Sequence, residues 1–396
     1  MTFAKLVRAF ILRQPGTWLL HVLTLALGAA VVTSLLLIDR AIADRFERDL
    51  AGVDLVVGAK GSALQIVLAA VMQMDAPTGN IPLREAERFS QHPLVRSAVP
   101  ISMGDSVRGS RIIGTTTQYA DLYAASLAQG TWWTEPMQVV LGAEAAQRLQ
   151  FGIGARFAGQ HGLSGGEAHE DWRFVVVGIL EPTGSTIDRL VLTDLASVWE
   201  VHAHDDSVST ESEDETRQVT ALLIKYRSAM GAITLPGLVS RTADLQPAVP
   251  AIEVARLVNL LGMGTELLRW IGLALLALAS GSFLAALMSA VSRRRRELAL
   301  LRALGSSPRL LWGLMAAEGA LLGLCGGVLG VMTTRGLMLL VVDVTSDAGM
   351  TPLRPPSIGL IEICAIAVAV VLALIAALPA AWNAGRIDPV RELARH

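Results

Sequence analysis

Four of the seven histidines fall in two acid-rich segments, and imidazole beside carboxylate is ligand chemistry for Zn2+ and other divalent metals. His161 and His169 stand among Glu167, Glu170 and Asp171. His202 and His204 stand beside Asp205 and Asp206, with Glu211, Glu213, Asp214 and Glu215 following. Neither segment has a strict ligand spacing such as HExxH, and a solvated polar loop has the same composition, so the metal site is one of two open readings. It would need Phe174–Leu180 and Arg189–Thr193 to be neighbouring antiparallel strands around the turn Glu181-Pro-Thr-Gly-Ser. Both His/acid segments would then emerge at one end of the pair. No Ser-His-Asp, paired-carboxylate or nucleophile-elbow arrangement rises above chance. The expectation is that the chain is not an enzyme.

A nucleotide site is excluded on its own chemistry. Leu163-Ser-Gly-Gly-Glu167 resembles the signature sequence of ABC ATPases, but that signature works only beside a P-loop lysine. The three lysines are Lys5, Lys60 and Lys225, and none follows a glycine. The segment is expected to be a glycine turn, and the chain is expected to bind no cofactor of its own.

Four long apolar stretches position everything else. Gln14–Ile38, Trp270–Ser292, Leu310–Thr334 and Ile363–Gly385 each hold about 23 to 25 residues, interrupted only by His21 and Glu318. A bilayer core about 30 Å thick needs roughly 20 apolar residues in helix, so each can span. Mean hydropathy of +0.50 leaves too little amphipathic sequence to bury four such helices in a soluble protein. The first run is too long for a signal-peptide core and is read as a retained span. Basic residues cluster before the first span (Lys5, Arg8, Arg13), between the second and third (Arg293–Arg296, Arg302, Arg309) and after the fourth (Arg386, Arg391, Arg395). Short basic segments stay inside, so both termini are expected in the cytoplasm of a multi-pass inner-membrane protein.

The region between the first two spans is then external. Asp39–Gly264 carries 18 basic and 27 acidic residues, a net of −9, which argues against a nucleic-acid partner. It contains no cysteine, so its fold must rest on its own core. The pattern predicts an α+β domain over 39–263. Helices are expected at Ala63–Met74, Leu83–Gln91, Ala143–Gln150 and Asp194–His202. Strands are expected at Gly52–Gly58, Ser106–Gly114, Gln138–Leu141, Arg173–Leu180, Arg189–Thr193 and Thr220–Tyr226. Asp39–Leu50 continues helically out of the first span and Ile252–Leu268 leads into the second, forming a stalk. Residues 1–16 read as a short amphipathic helix lying in the inner interface.

Two features inside or beside the spans carry a mechanical reading. Arg293, Arg294, Arg295 and Arg296 are followed by Glu297, Leu298, Leu301, Arg302 and Leu304, an amphipathic turn that Gly305 would cap. Such a basic helix suits both headgroup anchoring and docking onto a partner. Gly319, Gly323, Gly326, Gly327 and Gly330 form three small-xxx-small pairs in one span, the spacing that lets helices approach closely in lipid. Glu318 beside them is expected to be structural.

The order of one helix, a large external domain, then three helices with a basic inner loop resembles the MacB/FtsX-type permeases of type VII ABC transporters. The resemblance is most specific at Ser292–Gly305, SRRRRELALLRALG. It continues through Glu318-Gly-Ala-Leu-Leu-Gly, Pro379-Ala380 and Ile387-Asp-Pro-Val. In the outer domain it is carried by Val139-Val-Leu-Gly-Ala-Glu-Ala-Ala, Phe151-Gly-Ile-Gly-Ala and Phe174-Val-Val-Val-Gly-Ile-Leu. It implies a separate ABC ATPase, holding the ATP and Mg2+, that docks on a coupling helix at about 293–305 (spans at 17–38 and about 268–292, 309–334 and 358–382). It implies mechanotransmission to the outer domain, acting on a lipoprotein, peptide, hydrophobic or metal-related substrate, with a periplasmic or lipoprotein partner. The alternative is a regulatory permease that activates an envelope enzyme, as in the cell-division member; the large outer domain favours transport. One coupling helix would serve one of two paired nucleotide-binding subunits, so two permease copies, as a homodimer or with a paralogue, are expected.

Overall fold

The computed structural model describes residues 15–50, 52–162, 168–203, 217–293, 299–300, 303, 306–347 and 359–386. It divides into two compact units, Asp44–Asn259 and the combination of Met1–Ala43 with Leu260–His396. The chain runs through α1 (Pro15–Asp49), β1 (Leu55–Ala59), α2 (Ala63–Ala70), β2 (Ile81–Pro82), α3 (Leu83–Ser90), β3 (Val95–Val107) and β4 (Ser110–Thr115). Next come α4 (Gln118–Leu122), β5 (Leu127–Gly130), β6 (Gln138–Leu141), α5 (Ala143–Leu149), β7 (Arg156–His161) and β8 (Ala168–Leu180). A 3-10 turn at Thr186–Arg189 leads to β9 (Val191–Asp194), α6 (Leu195–Ala203), β10 (Gln218–Val219), β11 (Ala221–Tyr226), α7 (Ala229–Ser240) and β12 (Leu245–Ala248). Three long helices follow, α8 (Pro250–Arg293), α9 (Pro308–Asp347) and α10 (Leu360–Gly385).

The outer unit is built on one mixed sheet of order β12-β1-β11-β3-β4-β9-β6-β8-β5, with β7 bridging β3 and β8. Successive strand residues point to opposite faces, and here both faces are covered. Val56, Leu223, Ile113, Val140 and Leu192 face one core, joined by Ile66, Val67 and Ala70 of α2 and Tyr119 and Ala120 of α4. Their neighbours face the other side. Leu55, Val57, Leu222 and Ile224 meet α3 and α7 through Phe89, Leu235 and Val239. Ile112, Val139, Leu141 and Val191 meet α5 and α6 through Ala145, Leu149 and Val201. Double burial explains why β1 and β6 read as unbroken apolar runs without alternation.

Two expectations are corrected here. Ser106–Gly114 is no single strand; β3 and β4 form a hairpin that turns at Arg108 and Gly109, with φ of 44° and 78°. Two positive φ values fit the sharp hairpin turns that match strand twist, but Arg in place of Asn hides the signal. The strands around Glu181–Ser185 are not neighbours either. β6 lies between β8 and β9, pairing parallel with the first and antiparallel with the second.

Among the described residues four helices are long and apolar enough to cross a membrane: Pro15–Asp49, Glu266–Arg293, Arg309–Val342 and Leu360–Gly385. In the membrane unit, α10 presents Ala369, Ala373, Ala377, Ala380 and Ala384 to a core shared with Leu25, Leu276, Phe283 and Leu322. The expected interfacial helix at 1–16 lies, up to residue 14, outside the described residues.

Candidate functional site

The last turn of α1 is built into the outer unit. Phe46 and Leu50 pack against the same core that buries Val254, near the start of α8. Polar groups fix the register of that turn. Asp49 is 2% exposed; its Oδ1 accepts the Thr186 backbone N–H at 2.9 Å and its Oδ2 accepts from Arg45 Nε at 3.4 Å. Arg48 Nε donates to the Gly184 carbonyl at 3.2 Å.

The turn that receives these groups is itself prearranged. Asp188 accepts from the Thr183 N–H and hydroxyl and from the Gly184 N–H at 2.7 to 3.0 Å, while Gly184 takes φ +74°. A carboxylate that collects several N–H donors holds a loop rigidly, so the 183–189 turn is a preformed socket for the end of α1. Half-buried beside it, Arg189 has its pKa lowered by desolvation and by Arg45, with Asp49 and Glu144 acting in the opposite sense. Tyr119 and Tyr123 lie with ring centroids 5.4 Å apart in the same core. Burial pushes the Tyr119 hydroxyl up to about 12, with Tyr123 and Gln73 beside it pulling the other way.

The membrane unit assigns the glycines to two different faces of α9. A Cβ at Gly323 would lie 2.5 Å from Val370 Cα, at Gly327 3.0 Å from Ile366 Cα, and at Gly319 2.9 Å from the Ala373 carbonyl. Those three face α10. Gly326 and Gly330 face α1, where a Cβ would lie 2.9 Å from Leu25 and 2.8 Å from the Ala26 carbonyl. Backbone approach of this kind is how helices associate where lipid removes the hydrophobic gain.

Polar ties sit at the far end of the same helices. Thr334 donates to the Ala30 carbonyl at 3.0 Å and meets Ser34 at 3.2 Å, while Arg335 of α9 pairs with Glu362 of α10. Asp39 of α1 pairs with Arg269 of α8, and Gly272 packs its backbone against Val31 and Val32. Glu318 is half-buried on α9.

Sequence reasoning missed the socket and the two interhelical ion pairs. Arg335 and Glu362 were legible only as charges that ended apolar runs. Asp49 and Asp188 looked like ordinary members of an acidic domain.

The remaining candidates are placed only in part. Arg293 ends α8, and Ala299, Leu300 and Ala303 are helical, with Ala299 fully buried in the membrane unit's core and Leu300 exposed. Arg294, Arg295, Arg296, Glu297, Leu298, Leu301, Arg302, Leu304 and Gly305 lie outside the described residues, as does Leu163–Glu167. His161 and His169 fall on the adjacent antiparallel strands β7 and β8, and His202 is near the end of α6. The side chains of these three, and the whole of His204, lie outside the described residues. Among the described residues no three His, Cys, Asp or Glu side chains gather as a metal would need. The strand neighbourhood on which the metal geometry rested is overturned by the intervening β6.

Two family models match the chain. A MacB-like periplasmic core domain matches residues 18–231, and an FtsX-like permease C-terminal domain matches residues 270–389. The periplasmic region of MacB from Actinobacillus actinomycetemcomitans is 15% identical with a TM-score of 0.36, over 54% of this chain and 96% of that one. The extracellular domain of the noncanonic ABC-type transporter YknZ from Gram-positive bacteria is 10% identical with a TM-score of 0.31, over 49% and 98% respectively. Among curated proteins none matches the chain.

Proposed function

The chain belongs to the MacB/FtsX-type permeases, which join a MacB-like periplasmic core domain to an FtsX-like permease C-terminal domain, and from that membership we propose that it transmits ATP-driven motion to its outer domain. Permeases of this family work with an ABC ATPase. The proposed partner is such an ATPase, binding ATP and Mg2+ and docking on the helix at about 293–305. The proposed setting is the inner membrane, with both termini and this helix in the cytoplasm and the chain acting as a dimer.

The observation that carries this reading is the construction of α1. It is one unbroken helix from Pro15 to Asp49, apolar enough to span, and its final turn is locked into the outer unit by Asp49, Arg48, Phe46 and Leu50. A helix of this length covers about 50 Å at 1.5 Å per residue, so α1 is a continuous path along which such a displacement would travel to the socket. The α9 glycines serve the same purpose by holding α1 and α10 at backbone distance. Substrates at the membrane face or outside it, lipoproteins, peptides or hydrophobic compounds, are those that such a motion can act on.

The test is recovery of partners with the full-length chain from its own membranes. An ABC ATPase should co-purify with the wild type and be lost with Leu301→Asp, which still inserts. Undiminished recovery with that variant would reduce the segment to a topological anchor. Cysteine at Ile42 or Leu257 should crosslink two copies; persistent monomer with the ATPase bound would remove the dimer from the proposal.

A further inference from the structure

The basic end of the α9–α10 pair carries an exposed aromatic and cationic patch that the coupling account does not use. Trp312 and Trp382 are 40% and 48% exposed, with ring centroids 5.5 Å apart. The Arg386 guanidinium lies over the Trp382 ring at 4.5 Å. Gly385 makes the arrangement possible, since a Cβ there would collide with the Trp312 indole nitrogen. Arg309, also exposed, stands one turn before Trp312. Among the described residues no carboxylate pairs with Arg309 or Arg386.

Above the patch, Ile375 and Leu378 continue the stripe of Trp382 along α10 at helical spacing, and both are more than half exposed. In a membrane-spanning helix such a stripe faces acyl chains. The patch therefore offers an apolar track on α10, an aromatic shelf shared by Trp382 of α10 and Trp312 of α9, and one cation beside each, Arg386 after α10 and Arg309 in the first turn of α9. A guanidinium stacked on indole is held flat with its N–H fork turned outward, the geometry that binds phosphate in bidentate fashion.

We propose that Trp312, Trp382, Arg309 and Arg386 form a binding site for the headgroup of an anionic phospholipid, whose acyl chain lies along Ile375 and Leu378. An ordinary aromatic belt anchors helices in any bilayer without regard to lipid charge. This site requires the charge. The inference rests on the chain's being a membrane protein and not on the coupling mechanism.

The test offers the full-length chain in mild detergent equal amounts of dioleoylphosphatidylglycerol and dioleoylphosphatidylcholine, with bound lipid read by native mass spectrometry. The wild type should retain phosphatidylglycerol preferentially, and Arg386→Gln should lower that preference about fivefold, the factor expected per basic residue near an anionic surface. Arg309→Gln with Arg386→Gln should bring it to parity. In wild-type chain in bilayers, phosphatidylglycerol brominated on its acyl chains should quench tryptophan fluorescence more than brominated phosphatidylcholine at the same mole fraction. Parity in the wild type would overturn the site, as would an unchanged preference in Arg386→Gln. Displacement of the lipid by millimolar inorganic phosphate would make it a free-anion site instead. Loss of a co-purifying ATPase in Arg386→Gln, with lipid preference intact, would make it a protein-docking surface.

Discussion

Removing the Asp49 carboxylate should open the socket while leaving the rest of the outer unit folded. Asp49 and Thr186 are 2% and 1% exposed, so Asp49→Ala orphans a buried N–H, at about 1–3 kcal/mol. It also strips Arg189 of a carboxylate that offsets its burial, and Arg45 of a hydrogen-bond acceptor. Hydrogen bonds to a charged group contribute about 1.5–3 kcal/mol, so a local loss of about 3 kcal/mol is expected. Hydrogen exchange of the full-length protein reads this directly, because local opening scales with that free energy. Peptides covering 181–190 should exchange about 100-fold faster, at 1.4 kcal/mol per decade. Peptides covering α5 should stay within a few-fold of wild type. Asp49→Asn keeps an acceptor for the Thr186 N–H and should cost about one decade. If Asp49→Ala left 181–190 within threefold of wild type, Phe46 and Leu50 would be holding the helix end alone, and the polar socket would be incidental.

Three further outcomes follow from the same packing. Gly323→Leu forces a side chain into the backbone of Val370 and should lower the thermal midpoint by several degrees, in line with about 1–3 kcal/mol or more for overpacking; Gly336→Leu, with open space around it, should not. Arg335→Leu leaves Glu362 buried at 2% exposure and should destabilise the protein by about 3–5 kcal/mol, whereas Arg335→Met with Glu362→Leu should recover most of it, both read by thermal unfolding in detergent. Tyr119 ionises near 10 when unfolded and near 12 when folded, so the unfolded state loses its proton first; stability conferred below pH 10 should drain away between about pH 10 and 12, and Tyr119→Phe should flatten that slope in urea titrations.

The four spanning helices were legible because each span must satisfy its own backbone and be apolar throughout, so length and composition suffice. Gln138–Leu141 was found to the residue, and Leu83–Gln91 within one, because their apolar patterns end at strong breakers. The helix α7 was missed: Pro236 and two glycines within twelve residues hide a segment that tertiary burial of Leu235 and Val239 makes helical. The β3–β4 hairpin was read as one strand since its turn residue Arg108 carries no turn signature. The glycine spacing in α9 predicted close packing but not its division between two partners. That division depends on which helices flank α9, and only the tertiary arrangement fixes them. The socket was illegible for a similar reason. Asp49 and Thr186 are 137 residues apart in sequence, and nothing local marks either as buried.

If motion of an ATPase reaches the outer unit through the membrane helices, hydrogen exchange of the assembled complex with and without ATP will register it. A hydrolysis-deficient ATPase holds the ATP state. ATP should then change exchange in the peptides covering 181–190 and 250–259, and Leu301→Asp should abolish that change while leaving the exchange of α5 as it was. Identical exchange with and without ATP in the wild type, or an ATP response that survives Leu301→Asp undiminished, would rule out transmission through the 293–305 segment and the membrane helices.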